Sequence, residues 1–380
     1  MTGAITAFSA AQVFDGTDLL EDRAVLVADG LVQEVVPSNV VPAHAQEVRL
    51  GEGILAPGFV DLQVNGGGGV MFNDAPSRDT LRTMAEAHAR LGTTTLVPTL
   101  ITDRPEITEA AVDAVAGADV PGVIGLHLEG PHLAPAKKGA HDADLIRAMT
   151  SSDLEFLLEA AARLSILKVT LAPESVSAHQ IAALAEAGVI VSLGHSACGY
   201  EAARQAGVAG AHCMTHLFNA MSGLDHREPG LVGAALAMGG FSAGLIADLV
   251  HVHGDVIRLA LAAKQGPGQI FLVTDAMAVA GTDLHSFRLN GRAIHRAGGR
   301  LTLVDGTLAG ADLDLPTALR NLAQLGVPLE RALAMATTIP SDVVGAKRVG
   351  RLAPGMPADM VYLTPALDLV HAWRGGRKIA

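Results

Sequence analysis

What this 380-residue chain lacks narrows the field first. It has two cysteines, Cys198 and Cys213, too few for a disulfide framework. That fits a reducing compartment such as the cytoplasm and leaves each thiol as a small buried side chain. A metal-ligand role for the Cys213 thiol, inside His212-Cys-Met-Thr-His216, is the lesser alternative. Positive charge is also short: 27 basic against 39 acidic residues leave a net charge of −12. A broad nucleic-acid or anionic-membrane surface is therefore not expected, although one local basic pocket remains compatible. There is no uncharged apolar run long enough to span a membrane. The opening MTGAITAFSA has no basic segment ahead of an apolar one, so no signal peptide is expected. Apolar residues, by contrast, make up 49% against 17% charged. A chain of this length and balance can bury a barrel of about 250 residues and one smaller unit.

The first fifty or so residues carry alternating β-type runs broken by Asp15-Gly16 and Asp29-Gly30, which are hairpin signals. From about Val343 the same character returns in MVYLTP and LVHAWRGGRKI. Residues 1–54 and 343–380 are therefore expected to build one small β-sandwich domain from both chain ends, with 55–342 as the larger domain.

From Phe59 onward eight compact apolar runs follow one another: FVDLQVN, TTTLVPTL, GVIGLHLEGP, LKVTLAPE, VIVSLGHS, GAHCMTHLFNA, SAGLIADLVHV and IFLVTDAMA. Strands buried on both faces have this composition. Helical signals fill most gaps. Ser77 is placed to cap a helix with Leu81, Met84, Ala85 and Leu91 inward and Gly92 as its stop. Ser152 and Glu155 have capping-box spacing ahead of Leu157, Leu158 and Ala161. The fold class expected is α/β, a (β/α)8 TIM-like barrel, with an open doubly wound sheet as the alternative.

Four of the runs end on polar residues: Glu129, His195, His216 and Asp275. In a parallel barrel every strand delivers its C-terminal end to one rim, so these residues would converge. Two imidazoles and a carboxylate form a catalytic zinc set with a position left open for water. Asp275 would then carry a proton, although alone it would suit a helix cap equally well. His212 shares a face with His216 but lies further from the rim.

The motifs His127-Leu-Glu-Gly-Pro131, Lys137-Lys-Gly-Ala-His141, Gly194-His-Ser196, Thr215-His-Leu-Phe-Asn-Ala-Met221, Arg227-Glu-Pro-Gly230 and Thr274-Asp-Ala276 occur in order along the chain. Together they resemble those of the N-acetylglucosamine-6-phosphate deacetylases of the amidohydrolase superfamily. The likeness runs from Pro57-Gly-Phe59 to Asp305-Gly-Thr-Leu308, and Pro354-Gly-Met-Pro-Ala-Asp359 resembles the superfamily's C-terminal β segment. It implies Glu129, His195 and His216 as ligands of one divalent metal, Zn with Fe, Co or Mn as alternatives, and Asp275 as general base and acid. It also implies His141 and the Ala140 main chain near the acetamide, and Asn219 and Ala220 towards the phosphate. Arg227 and His251 would bind phosphate across a homodimer interface, with Asp248 in the same segment. Leu308, Ala309 and Gly310 would form a loop lining the pocket. The activity implied is cytoplasmic deacetylation of N-acetylglucosamine 6-phosphate in amino-sugar catabolism and cell-wall recycling. The alternatives are another amino-sugar phosphate, such as N-acetylgalactosamine 6-phosphate, or a binding module without activity.

Many amidohydrolases hold a second metal through His-x-His on the first strand, where this chain has Gln63 and Asn65. Amides are poor ligands, so one metal is expected, with both amides hydrogen-bonding its ligands or the attacking water. Lys168 begins its strand, at the wrong end to bridge two metals. His132 stands where an aromatic is common after Glu-Gly-Pro.

Overall fold

A computed structural model describes residues 4–380. The eight apolar runs form the strands Phe59–Val64, Thr93–Ile101, Leu126–Glu129, Leu167–Leu171, Ile190–Leu193, Cys213–Met214, Ser242–Leu245 and Ile270–Leu272, hydrogen-bonded in chain order. Every residue of the first six is buried, the reason they carry no apolar/polar alternation. The sheet closes where Val64 pairs in parallel with Ala276. There the Asn65 N–H donates to the Ala276 carbonyl at 2.8 Å and the Asp275 N–H to the Gln63 carbonyl at 3.0 Å. Closure excludes the open doubly wound sheet and puts all strand C-termini on one rim.

The helices start where short polar side chains can accept the first free amides. Ser77 Oγ accepts from the Thr80 N–H at 3.2 Å ahead of Arg78–Arg90, whose Leu81, Met84 and Ala85 are buried. The helix Ser151–Arg163 has a capping box, but not at the expected pair: Thr150 and Asp153 make it, and Ser152 lies inside the helix. Asp153 outcompetes Glu155 because its carboxylate accepts from the Thr150 N–H at 2.8 Å while also pairing with Arg147.

Both chain ends contribute to one eight-stranded sheet, in the order Arg377–Lys378, Leu369–Arg374, Met360–Leu363, Ile54–Pro57, Thr6–Phe14, Leu19–Ala28, Leu31–Pro37, with Gln46–Arg49 also paired to Thr6–Phe14. It folds over a core that includes Phe8, Val25, Leu55, Met360 and Trp373. Asp29 and Gly30, at φ 52° and 78°, make the two-residue turn between neighbouring strands. Asp15-Gly16 instead opens a longer loop, closed by Asp15 Oδ1 accepting from the Thr17 and Asp18 amides.

One element has no counterpart in the sequence expectation. After the eighth barrel strand, Ser286–Leu289, Arg292–Ala297, Arg300–Thr302 and Leu308–Ala311 form a separate four-stranded antiparallel sheet. Leu289, Ile294, Leu301 and Ala309 join Met71, Ile101 and Met277 in its core.

The chain divides into two compact units, one holding the residues to Asp61 with Glu86–Thr95 and Asp314–Ala380, the other Leu62–Ala85 with Leu96–Leu313. These do not break at 54/55 and 342/343. Within the first unit the Gly58 N–H donates to Asp359 O at 2.8 Å, Phe59 N–H to Gly92 O at 3.0 Å and Arg374 Nη2 to Thr94 O at 3.1 Å, so those segments cluster with the chain-end strands.

Candidate active site

The second unit contains a cleft of about 240 Å³ at the barrel rim. Glu129, His195, His216 and Asp275 all line it, as do Asn65, Gly139, Ala140, His141, Asn219, Ala220, His251, Leu308 and Gly310. His195, His216 and Asp275 have φ of 47°, 30° and 53°, and Ala220 has 49°. Left-handed backbone is costly for side-chain-bearing residues, and here it gathers where strands turn their last residue into the cleft.

Three atoms converge. Glu129 Oε1 lies 3.0 Å from His216 Nε2 and 3.3 Å from His195 Nε2, and the two Nε2 atoms are 3.0 Å apart. Ligands about 2.0–2.2 Å from one tetrahedral ion would be separated by roughly 3.3 Å, close to this triangle. The His195 tautomer fits as well. Its Nδ1 is 2.7 Å from the Lys137 carbonyl, which can only accept, so Nδ1 carries a proton and Nε2 can offer a lone pair. Lone pairs so close repel unless a cation lies among them. Burial alone would push His216 down, yet the hydrogen bond and charge of Glu129 outweigh it and raise its pKa. Burial would likewise raise Glu129, but the two imidazoles hold it well below the usual carboxylate range. The cluster therefore attracts a positive charge and has the donor set for a divalent metal.

His141 plays a different part. A Glu129, His141, His195 grouping also has ligand-like spacing, but the Thr102 N–H donates to His141 Nδ1 at 3.3 Å, with Thr102 Oγ1 at 2.8 Å. An amide cannot accept, so Nδ1 is unprotonated. Burial, then the neighbouring His195, push the His141 pKa well below its ordinary value, so the ring is neutral. Its single proton sits on Nε2, 3.9 Å from Glu129 Oε2. His141 thus presents a hydrogen-bond donor to the cleft, where a metal ligand would present a lone pair.

Asp275 is half-buried, and burial, followed by the nearby Glu129 carboxylate, raises its pKa. Its Oδ1 accepts from Asn65 Nδ2 at 2.7 Å and Gln63 Nε2 at 3.2 Å, and the same Gln63 amide lies 3.2 Å from Glu129 Oε1. These contacts orient the carboxyl. Beneath the rim, His127 bridges Thr99 Oγ1 at 3.0 Å and Thr170 Oγ1 at 2.7 Å, continuing to Thr215 at 2.6 Å. The strands bearing Glu129 and His216 are tied together below the cleft.

Not every expected residue reaches the cleft wall. Asp248 sits behind His251: its Oδ2 is 2.6 Å from His251 Nδ1, and its Oδ1 accepts from the His251 N–H at 2.8 Å. Burial opposes ionisation of Asp248, but the His251 hydrogen bond outweighs it and lowers its pKa. His251 lines its own chain's cleft. Arg227 is exposed and off this wall, in a loop whose Asp225 Oδ1 accepts its N–H at 3.3 Å. Leu308, Ala309 and Gly310 form a strand rather than a loop, so alternate residues face opposite sides: Leu308 and Gly310 line the cleft, and Ala309 packs into the small-sheet core. His132 is buried elsewhere, its Nδ1 donating to the Arg147 carbonyl at 3.2 Å, and lines a second cavity with Phe156 and Asp153. Thr102, Lys137, Ile246, Met277 and Thr307 went unanticipated, since nothing local in sequence marks a residue as supporting a site.

A closed parallel barrel with two imidazoles and a carboxylate at its rim, beside a half-buried carboxyl, has the architecture of a barrel hydrolase with a candidate metal centre. The chain belongs to the amidohydrolase family, whose profile matches residues 54–378. It is 42% identical to the N-acetylgalactosamine-6-phosphate deacetylase of Shewanella sp. strain ANA-3, over 96% of this chain and 94% of that one. To the N-acetylglucosamine-6-phosphate deacetylase of Haemophilus influenzae it is 34% identical, over 96% and 97%. The crystal structure of the N-acetylglucosamine-6-phosphate deacetylase from Pasteurella multocida superposes with a TM-score of 0.93 at 34% identity, covering 98% of this chain and 99% of that one. An aspartate-to-alanine mutant of the Mycobacterium smegmatis deacetylase, in complex with N-acetyl-D-glucosamine 6-phosphate, gives 0.91 at 32%, with both chains fully covered.

Proposed function

We propose that this chain is a metal-dependent hydrolase that removes the acetyl group from N-acetyl-D-glucosamine 6-phosphate, giving D-glucosamine 6-phosphate and acetate in cytoplasmic amino-sugar catabolism and cell-wall recycling. The observation that carries this is the triangle of Glu129, His195 and His216 in one cleft with a proton-bearing His141 Nε2 and the oriented Asp275. One divalent ion per chain, zinc in the first instance with iron, cobalt or manganese as alternatives, would be held by those three residues. When bound, it supplies electrophilic polarisation of the acetamide and acidifies water.

The chain's own groups do the rest. Asp275, with Oδ1 taken by the Asn65 and Gln63 amides, has Oδ2 to receive the proton of attacking water and return it to the leaving amine. His141 donates from Nε2 to the oxygen on which negative charge develops. At the other end of the cleft, Asn219, Ala220 and His251 would meet the phosphate, His251 being held by Asp248. Arg227 is exposed and does not line its own cleft, which supports a role in a neighbouring subunit, so a homodimer completing the phosphate site belongs to the proposal.

A second substrate, the galacto epimer, is favoured by the 42% identity to the Shewanella enzyme. Acetate release should be measured with both phosphorylated epimers and with unphosphorylated N-acetylglucosamine, alongside elemental analysis of the same preparation. Turnover of the phosphorylated gluco sugar in preference to both others, with about one metal per chain, is the expected outcome. Faster turnover of the galacto epimer would transfer the assignment to it, and no acetate from either phosphorylated sugar would overturn both.

A further inference from the structure

We infer that Arg292, in the small four-stranded sheet, is a positioning residue for the Gly139–His141 loop and holds the Ala140 carbonyl so that His141 Nε2–H faces the acetamide oxygen. The inference rests on the catalytic role proposed for His141. Arg292 Nη2 donates to the Ala140 carbonyl across 152 residues of sequence. On the other side of the same peptide, the His141 N–H donates to Lys138 O at 2.9 Å, a contact inside the loop itself. The peptide that aims the His141 side chain is therefore pinned by its own turn at one atom and by Arg292 at the other. Ala140 also packs against the core of the same sheet, formed by Leu289, Ile294, Leu301 and Ala309. Arg292 itself is not on the cleft wall, so it acts through the loop.

The same sheet also grips the other side of the site. Its last strand donates the Ala311 N–H to the Asp275 carbonyl at 3.0 Å. Gly310, at φ +67°, passes so close that a Cβ there would lie 2.5 Å from Met277 Cγ and 2.8 Å from Asp275 O. One sheet thus fixes the backbone of both the proton carrier and the donor loop, and a tilt of that sheet would shift both against the substrate.

The test is Arg292→Met, with Arg292→Gln as a second variant should the first not fold. Each should lower kcat about tenfold to a hundredfold while KM and metal content stay near those of the parent. Amide hydrogen exchange over residues 135–146 should quicken while the barrel strands keep their protection. Arg292→Lys, which keeps a cationic donor, should recover part of kcat and of the exchange protection. A folded Arg292→Met with unchanged exchange over that segment overturns the inference, as does a full loss that lysine leaves unrelieved. Exchange is read without substrate, so it judges the positioning of the loop even if the proposed reaction is wrong.

Discussion

Whether His141 and His195 are donor or ligand depends on one proton each, and each proton is placed by a backbone group: the Thr102 amide and the Lys137 carbonyl. Asp275 depends in the same way on two amides that hold one of its oxygens. Replacing Asp275 with Asn should keep the metal, since the triangle of ligands is untouched, and reduce kcat by about a hundredfold to ten-thousandfold. Near-normal acetate release from that variant would remove Asp275 from the mechanism. The cysteines behave oppositely to reactive thiols: burial pushes Cys198 up to about 11 and raises Cys213 as well. A group raised that far is almost wholly protonated at pH 8. Alkylation of the folded protein by iodoacetamide should therefore be slow at pH 8 and quicken as pH approaches 11, and fast modification of Cys198 at pH 8 would contradict its environment.

Among the elements, the rim strands were legible because burial on both faces removes alternation, and because a breaker such as Gly130-Pro131 follows the strand that ends on Glu129. The capping box of Ser151–Arg163 was misplaced by two residues because spacing alone cannot tell which of two acidic residues has a second partner. Asp153 has one in Arg147. Its hydrogen bonds with Arg147 and Thr150 overcome partial burial and lower its pKa. A depressed carboxylate contributes stability that is present above its unfolded pKa of 3.8 and lost as pH falls towards the folded value. Asp153→Asn should accordingly cost about 1 kcal/mol at pH 7 by denaturant unfolding, and much less at pH 2. An equal cost at both pH values would show that ionisation is irrelevant to the cap. The small sheet escaped notice because its short, exposed, charged strands lack the apolar signal of the barrel.

For the molecule as a whole, the proposed metal centre would link stability to catalysis. Glu129, His195 and His216 come from three different barrel strands or their ends, so an ion bound by all three stabilises the closed arrangement by mass action. Chelation should abolish turnover and lower the melting temperature, and added zinc at about a thousand times its Kd should restore roughly 4 kcal/mol. A chelated, metal-free sample with unchanged activity and melting temperature would refute the assignment.

By itself the sequence determined the barrel and its four rim residues, because strand burial and strand breaking are local properties that repeat along the chain. The motifs also carried the likeness to the deacetylases. Only the tertiary structure decided that His141 is a donor beside the cluster, that His251 faces its own cleft with Asp248 behind it, and that Arg227 and Ala309 lie off the wall. Each of those outcomes depends on a partner far away in sequence or on the direction of a side chain in a strand, and neither is encoded in local spacing.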